Sequence, residues 1–178
     1  MSGNLSEQEF LQIYEKYKDI VYNQTFRILG TRQEADDATQ DVFLRIYKHY
    51  GDFRGVAKLS SWIYRISVNV CISRAMSKRK DIDYLEENEK IIHKNISEKT
   101  KNPEELFQSK EFRNIILNLI SKLQPKYGSI LTLYYFEEMS YREISGILKI
   151  PEGTIATHIF RAKTLLKDLF IKEINLLG

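Results

Sequence analysis

The 178-residue sequence contains a single cysteine, Cys71, and no apolar run near the roughly 18 residues that a membrane-spanning helix needs. One cysteine excludes an internal disulfide and a cysteine-rich zinc site. The first ten residues, MSGNLSEQEF, lack the basic and then apolar pattern of a secretion signal. We therefore expect a cytoplasmic protein. Its 43% hydrophobic and 12% aromatic residues favour packed cores over general disorder.

Signatures of catalysis are also missing. The sequence has no GxxxxGK[ST] or GxGxxG phosphate-binding loop. Its three histidines, His49, His93 and His158, are far apart, and none stands at metal-ligand spacing from another histidine or from the cysteine. Cys71 lies in an apolar-rich segment, where a buried thiol is more common than a nucleophile. We predict no enzymatic activity, no metal, no cofactor and no small-molecule substrate.

The net charge is only +3, but it is unevenly distributed. Residues 1–80 carry 13 Lys and Arg against 9 Asp and Glu, and residues 108–178 carry 10 against 7. Residues 81–107 between them carry 4 against 8. This pattern predicts two weakly basic units joined by an acidic linker. Because nonspecific affinity for nucleic acid grows with the number of neutralised phosphates, neither unit is expected to bind DNA strongly alone.

Helical periodicity covers the first basic block. Ser6 and Glu9 form the capping box of a first helix, Gly30 ends it, and Thr31 caps a second helix. The second helix has a predicted buried stripe of Ala35, Ala38, Val42, Ile46 and Tyr50. Its other face is polar and acidic near the start, with Asp36, Asp37, Gln40 and Asp41. Taken alone, this face is explained by solvation and by the helix dipole, which favours carboxylates near the N-terminus of a helix.

A glycine-containing loop with an aromatic residue, Phe53, leads into a third helix anchored by Trp62. This helix is predicted to end in the basic run Lys78-Arg79-Lys80, which the helix dipole alone would favour. Asn69 lies on its polar side. Aromatic faces, a loop that can form a pocket and an amide that can bond a base edge suit the binding of unpaired bases.

The most distinctive segment, SYREISGILKIPEGTIATHIFRAKTLLK, spans residues 140–167. Ser140 and Glu143 form a capping box, and Pro151 breaks the helix that follows. A second helix then begins, with apolar Ile155, Ile159 and Leu166 on one side and polar Thr154, Thr157, His158, Arg161 and Lys163 around the rest. This layout predicts a helix-turn-helix whose second helix enters the DNA major groove. An amphipathic hairpin without a DNA role is the alternative.

Three segments in this order resemble the extracytoplasmic-function group of the sigma-70 family of RNA polymerase sigma factors. They are EADDATQDVFLRIY, then FRGVAKLSSWIYRISVN, then LQPKYGSILTLYYFEEMSYREISGILKIPEGTIATHIFRAK. The similarity covers roughly residues 8–80 and 108–170. It implies an all-α fold of two small helical domains on a flexible linker: region 2 at residues 1–80, an acidic linker at 81–107, and a region 4 helix-turn-helix domain at 108–178.

The resemblance implies that the N-terminal domain binds core RNA polymerase and melts the −10 promoter element. Asp37, Gln40 and Asp41 match the positions that dock on the β′ clamp helices, and the β flap is a second implied contact. The loop from Phe53 to Ser61 is expected to hold a base flipped from the non-template strand, while Trp62 is expected to anchor its helix without touching a base. The implied −10 contacts are Phe53, Ser60, Ser61, Asn69, Ser73 and Arg74.

The C-terminal domain is expected to recognise the −35 element as duplex DNA. The implied contacts are Thr154, Thr157, His158, Phe160 and Arg161. Two positions depart from the family pattern: Ala156 stands where Lys or Arg is frequent, and Gly128, expected to loosen its helix, stands where Arg is common. The resemblance also implies a repressing anti-sigma partner, which is often anchored in the membrane.

The linker residues 81–101 are polar and acidic, and Asn102-Pro103-Glu104-Glu105 is a helix-start signal. The resemblance implies that this linker runs through the polymerase towards the RNA exit channel. A disordered spacer between the two domains is equally compatible with these residues.

Two other functions remain open. A stand-alone helix-turn-helix regulator would leave the Asn69 helix unexplained, and a purely structural helical adaptor predicts no DNA contact.

Overall fold

The computed structural model describes residues 5–83 and 110–177, and the regular elements of both segments are helices. The N-terminal module (residues 5–83) contains α1 (Glu7–Leu29), α2 (Arg32–His49), a 3-10 turn (Tyr50–Asp52) and α3 (Leu59–Asp83). The C-terminal module (residues 110–177) contains α4 (Lys110–Lys122), α5 (Pro125–Leu131), a π-helical turn (Thr132–Phe136), α6 (Tyr141–Leu148) and α7 (Glu152–Leu177). The prediction of an all-α chain with two helical units is confirmed.

Helix ends follow the signals in the sequence. At the start of α1, Ser6 Oγ accepts from the Glu9 amide at 3.3 Å, and Glu9 Oε2 accepts from the Ser6 amide at 3.0 Å. Gly30 ends α1 in the left-handed conformation, with φ of 85°. One boundary is wrong: α3 passes the predicted end at Lys78-Arg79-Lys80 and continues to Asp83. The predicted linker beyond residue 83 and the helix start at Asn102 lie outside the described residues.

In the N-terminal module, α1, α2 and α3 enclose one apolar core. Buried side chains from each helix meet there: Ile13, Val21, Ala38, Val42, Ile46, Ile63 and Val70. Tyr50 and Trp62 pack against this core while remaining partly exposed. The predicted stripe of α2 is therefore correct, with Tyr50 at its less buried end.

In the C-terminal module, the close approach of α4 and α5 depends on Gly128. A Cβ at Gly128 would lie 3.2 Å from the carbonyl oxygen of Ile120, which is tighter than ordinary packing. The Gly128 amide still donates to Gln124 O at 3.1 Å, so the first turn of α5 is intact. Gly128 therefore has an effect that the sequence did not predict, since it lets the two helices meet, while the expected loosening of the helix stays a prediction.

The two modules pack directly on each other. Ile28 of α1 and Val68 and Cys71 of α3 belong to the same buried cluster as α5, α6 and α7 residues of the C-terminal module, which are Ile130, Ile144, Ile147, Ile155 and Ile159. Gly30 also contacts α4 closely, since a Cβ there would overlap the Ser121 hydroxyl. One apolar cluster therefore joins the modules.

Candidate nucleic-acid interface

The predicted helix-turn-helix is formed by α6 and α7. Ser140 and Glu143 make the capping box of α6, with the Ser140 amide donating to Glu143 at 2.9 Å. Lys149 ends α6 in the left-handed conformation, with φ of 60°, and Pro151 O accepts the Thr154 amide at 2.9 Å as α7 begins. Buried Ile144 and Ile147 pack in one cluster with Ile155 and Ile159. This packing leaves the opposite side of α7 in solvent.

Three of the predicted −35 residues lie on that solvent side of α7: Thr157, Arg161 and Phe160, the last with 71% of its surface exposed. Ala156 is exposed among them, and Thr154 is half-buried. A large exposed aromatic side chain next to a free guanidinium is suited to contacts with base edges and methyl groups. Thr157, Phe160 and Arg161 are thus the predicted −35 residues whose side chains are exposed, and their contact with DNA stays a prediction.

His158 differs from its neighbours because its ring packs inward against Tyr127, with centroids 5.7 Å apart. Its Nδ1 atom is buried and finds no hydrogen-bond partner among the described residues. Burial lowers the pKa of His158, and the positive charges of Lys126 and Arg161 lower it further. Lys126, which the sequence reasoning missed because it is 32 positions away, therefore adds to the positive potential at the start of α7.

The predicted base-binding loop forms a small cleft at the start of α3. Phe53 and Trp62 form its aromatic wall, with ring centroids 5.4 Å apart, and Arg54 and Arg65 line it too. The cleft encloses about 210 Å³, below the roughly 300–1,000 Å³ typical of drug-sized ligand sites. That size suits one planar ring. Trp62, expected only to anchor α3, thus also forms part of the cleft wall.

Asn69 and Ser73 are exposed on α3, one helical turn apart, and Ser60 and Ser61 are half-buried in its first turn. Asn69 follows Trp62 by seven residues, so both lie on the same side of α3. A strand whose base occupied the cleft could therefore continue along the Asn69 side. Phe53, Asn69 and Ser73 can therefore lie along one strand, whereas Ser60 is nine residues before Asn69 and so lies on the opposite side of α3. Arg74 is also turned away from the Asn69 side.

Arg74 is paired with α2. Its Nε and Nη2 atoms donate to Asp41 Oδ2 at 2.9 and 2.5 Å, and Nη2 also donates to Asp37 O at 3.3 Å. Five residues separate Arg74 from Asn69, which places it on a different side of α3. The structure thus groups the predicted DNA residue Arg74 with the predicted polymerase residues Asp37 and Asp41.

The polar face of α2 continues into exposed apolar side chains that the sequence reasoning missed. Leu44 and Tyr47 are 55% and 52% exposed and follow Asp41 at spacings of three and six residues. Gln40 is exposed beside them. Large apolar groups that stay in solvent beside carboxylates are typical of a protein-binding surface.

A second apolar surface lies in the C-terminal module, between α4, the π-helical turn and the later part of α7. It is a cleft of about 450 Å³ whose walls are apolar, with Ile116, Leu131, Phe136, Leu166 and Phe170 among its residues and Lys163 and Lys167 at its edge. No motif in the sequence indicated it, because its residues come from four separate elements: α4, the end of α5, the π-helical turn and α7. Its shape and charge suit an amphipathic helix with acidic residues.

Catalytic and metal chemistry find no support in the described residues, where no three His, Cys, Asp or Glu side chains gather as a metal site. Burial raises the pKa of the Cys71 thiol to about 12, so it is neutral at physiological pH. None of the helices in the described segments is long and apolar enough to cross a membrane.

Comparisons with known proteins identify the family of both modules. The sigma-70 region 2 family model matches residues 13–81, and the sigma-70 region 4 model matches residues 113–166. The chain is 35% identical over 166 residues to the ECF RNA polymerase sigma factor SigW of Bacillus subtilis, covering 90% of this chain and 88% of that protein. It is 30% identical to the ECF RNA polymerase sigma-E factor of Escherichia coli, covering 73% and 70%.

The fold is also similar to a solved structure, the sigma factor RpoE of Bartonella quintana in complex with the anti-sigma factor NepR. The TM-score is 0.67 at 18% identity, over 92% of this chain and 97% of that one.

Proposed function

The chain belongs to the extracytoplasmic-function group of sigma-70 factors, and on that premise we propose that it directs core RNA polymerase to a specific set of promoters. Sigma factors are non-catalytic specificity subunits, so the polymerase performs the chemistry. The observation that carries the proposal is the presence of two DNA-suited surfaces on one chain: the Phe53–Trp62 cleft with Asn69, and the outer side of α7 with Arg161.

At the −10 element, the cleft takes a base flipped out of the non-template strand. Flipping costs a few kcal/mol of stacking, which contacts with Phe53 and Trp62 offset once the base is bound. Asn69 and Ser73 then contact neighbouring bases along α3. Capture of the extruded base couples recognition of the element to strand opening.

At the −35 element, α7 enters the major groove of duplex DNA. Arg161 is exposed and able to place its two-pronged guanidinium on a guanine, worth about 1–3 kcal/mol against a wrong base. Phe160 and Thr157 lie on the same exposed side. His158 contributes by shaping the helix start against Tyr127, and reaches DNA only if its ring leaves that contact.

Two surfaces dock the chain on core polymerase. Asp37, Gln40 and Asp41, extended by exposed Leu44 and Tyr47, bind the β′ clamp helices. The 450 Å³ apolar cleft edged by Lys163 and Lys167 takes the β flap. Apolar burial at both surfaces supplies affinity that the small net charge of the chain cannot.

An anti-sigma factor is the proposed repressor. The related sigma factor of Bartonella quintana was solved with such a partner. A partner of this kind holds the chain inactive in the cytoplasm, or at the membrane where the partner is anchored, by covering the polymerase-binding surfaces.

Run-off transcription tests the proposed function. Purified chain is added to core polymerase on fragmented genomic DNA of the source bacterium, and transcripts are compared with those from core polymerase alone. New discrete transcripts are expected. An unchanged transcript pattern across the whole genome contradicts the proposal.

A further inference from the structure

The first turns of α7 carry no Lys or Arg of their own. Residues 152–157 read EGTIAT, with one carboxylate, and Arg161 is the first Lys or Arg of the helix. Ala156 stands within this stretch. Because affinity for duplex DNA grows with the number of neutralised phosphates, the start of α7 lacks the charge that its proposed place in a DNA groove requires.

A cation from α5 lies beside this part of α7. The ring of Tyr127, on α5, contacts the ring of His158, on α7, with centroids 5.7 Å apart. The Nζ atom of Lys126 lies over the same Tyr127 ring, 4.8 Å from its centroid. Lys126 Nζ is therefore no farther from the His158 ring than these two distances together. Burial lowers the pKa of His158, and the charge of Lys126 lowers it further, as this proximity requires.

The charge of Lys126 is also available to a ligand. Its side chain is exposed, and it forms no ion pair with a carboxylate in the part of the chain that the structure describes. Lys122, at the end of α4, differs in this respect because its Nζ atom donates to Glu173 Oε2 at 3.1 Å. Of these two lysines of the same module, Lys126 is the one whose charge is not compensated by a carboxylate.

The position of Lys126 relative to α7 suits a contact with the DNA backbone. At about 100° per residue, His158 lies between exposed Thr157 and buried Ile159 around the helix, so it marks a flank of α7. An α-helix with its side chains is about 10–12 Å wide and fills a major groove about 12 Å wide. A side chain on an element packed against the flank therefore meets the phosphates at the rim of the groove, not the base edges.

We propose that Lys126 is a phosphate-binding residue of the −35 interface. Its ammonium group binds a backbone phosphate at the rim of the groove that α7 enters, and this contact positions α7 without reading a base. A compact charge on a flexible stem suits such a role, whereas the planar fork of Arg161 suits a guanine. The inference rests on the proposed function, because it requires α7 to lie on duplex DNA.

The test compares two charge-removing variants of the full-length chain. Lys126→Gln and Lys122→Gln each remove one positive charge from the C-terminal module, and Lys126→Arg keeps the charge. Circular dichroism melts verify that each variant is folded. Fluorescence anisotropy measures binding to a labelled short DNA duplex of random sequence at KCl concentrations from about 50 to 200 mM, the range over which phosphate contacts dominate the salt dependence.

Lys126→Gln is expected to weaken duplex binding and to reduce its salt dependence. One phosphate contact contributes about 0.9 to the slope of log affinity against log salt concentration, so this slope should become shallower by about 0.9. Between 50 and 200 mM KCl, the variant should consequently lose about 3.5-fold less affinity than the unmodified chain. Lys126→Arg and Lys122→Gln should both retain the slope of the unmodified chain.

A second measurement separates phosphate binding from base reading. Core polymerase carrying the variant chain is titrated with a promoter mapped by run-off transcription and with single-base changes in its −35 element. Lys126→Gln should weaken binding to all of these sequences by the same factor, whereas Arg161→Gln should relax the preference at one position.

The inference is overturned if Lys126→Gln leaves the salt slope unchanged, or if Lys122→Gln changes it equally, since the effect is then one of net charge. A loss confined to some −35 sequences also overturns it, because Lys126 then reads a base. Salt-independent binding, or no duplex binding, by the unmodified chain has the same consequence. Run-off transcription separates the two claims: promoter-specific transcripts with an unchanged slope leave the proposed function standing, and the absence of such transcripts removes it.

Discussion

The pairing of Asp41 with Arg74 allows a test that separates folding from polymerase binding. Asp41→Asn and Arg74→Gln each abolish the same ion pair between α2 and α3. The Arg74 side chain is 34% exposed and the Asp41 side chain 40% exposed, so water and salt screen the interaction between them. With its two-point geometry it is worth about 1 kcal/mol or less, or roughly 2–4 °C in the midpoint of thermal unfolding for a chain of this length.

If Asp41 contacts the β′ clamp helices, the two variants diverge in a second assay. Asp41→Asn is expected to weaken binding to core polymerase about tenfold or more, because the interface loses a charge, while Arg74→Gln leaves the affinity near that of the unmodified chain. Thermal unfolding followed by circular dichroism measures the first effect, and anisotropy of labelled chain titrated with core polymerase measures the second.

The reasoning fails if both variants lose core affinity equally, because Asp41 then acts only by holding α2 against α3. It also fails if neither variant loses affinity. Leu44→Ala is the matched apolar probe of the same surface: its side chain is 55% exposed, so its removal is expected to change stability little and to weaken core binding.

Three further outcomes are expected. Asn69→Ala should impair use of the −10 element more than use of the −35 element in transcription from promoter variants, and a uniform loss across the variants would contradict its assigned role. In the folded chain the pKa of His158 lies below its ordinary value of 6.5. As the pH falls, the unfolded chain therefore takes up a proton first, and the free energy of unfolding is expected to decrease below about pH 6.5. His158→Gln should flatten that part of the stability profile; an unchanged profile contradicts the inward placement. Leu166→Asp in the apolar cleft should weaken core binding without affecting single-stranded DNA binding, and normal core binding excludes the cleft as the flap site.

Features set by neighbouring residues were predictable from the sequence. The capping boxes at Ser6 and Ser140, the end of α1 at Gly30 and the break before Pro151 depend on side chains within a few positions, and each is confirmed. The burial of Cys71 followed from an apolar-rich helix and is also confirmed.

Features set by distant residues were not predictable. Arg74 meets Asp41 across 33 positions, and Glu137 meets Arg27 across 110. No periodicity relates such residues, because their contact is decided by how whole helices pack. For the same reason Lys126 beside His158, the apolar cleft and the dual role of Trp62 emerge only in three dimensions. The assigned DNA and polymerase contacts themselves remain predictions.

The most direct test of the central claim is the mapping of transcript 5′ ends made by core polymerase with and without this chain on genomic DNA. The account predicts new start sites that share two sequence blocks, centred near −10 and −35. No new start sites, or one symmetric block bound by the chain without polymerase, would contradict it, and the second result would favour a stand-alone regulator.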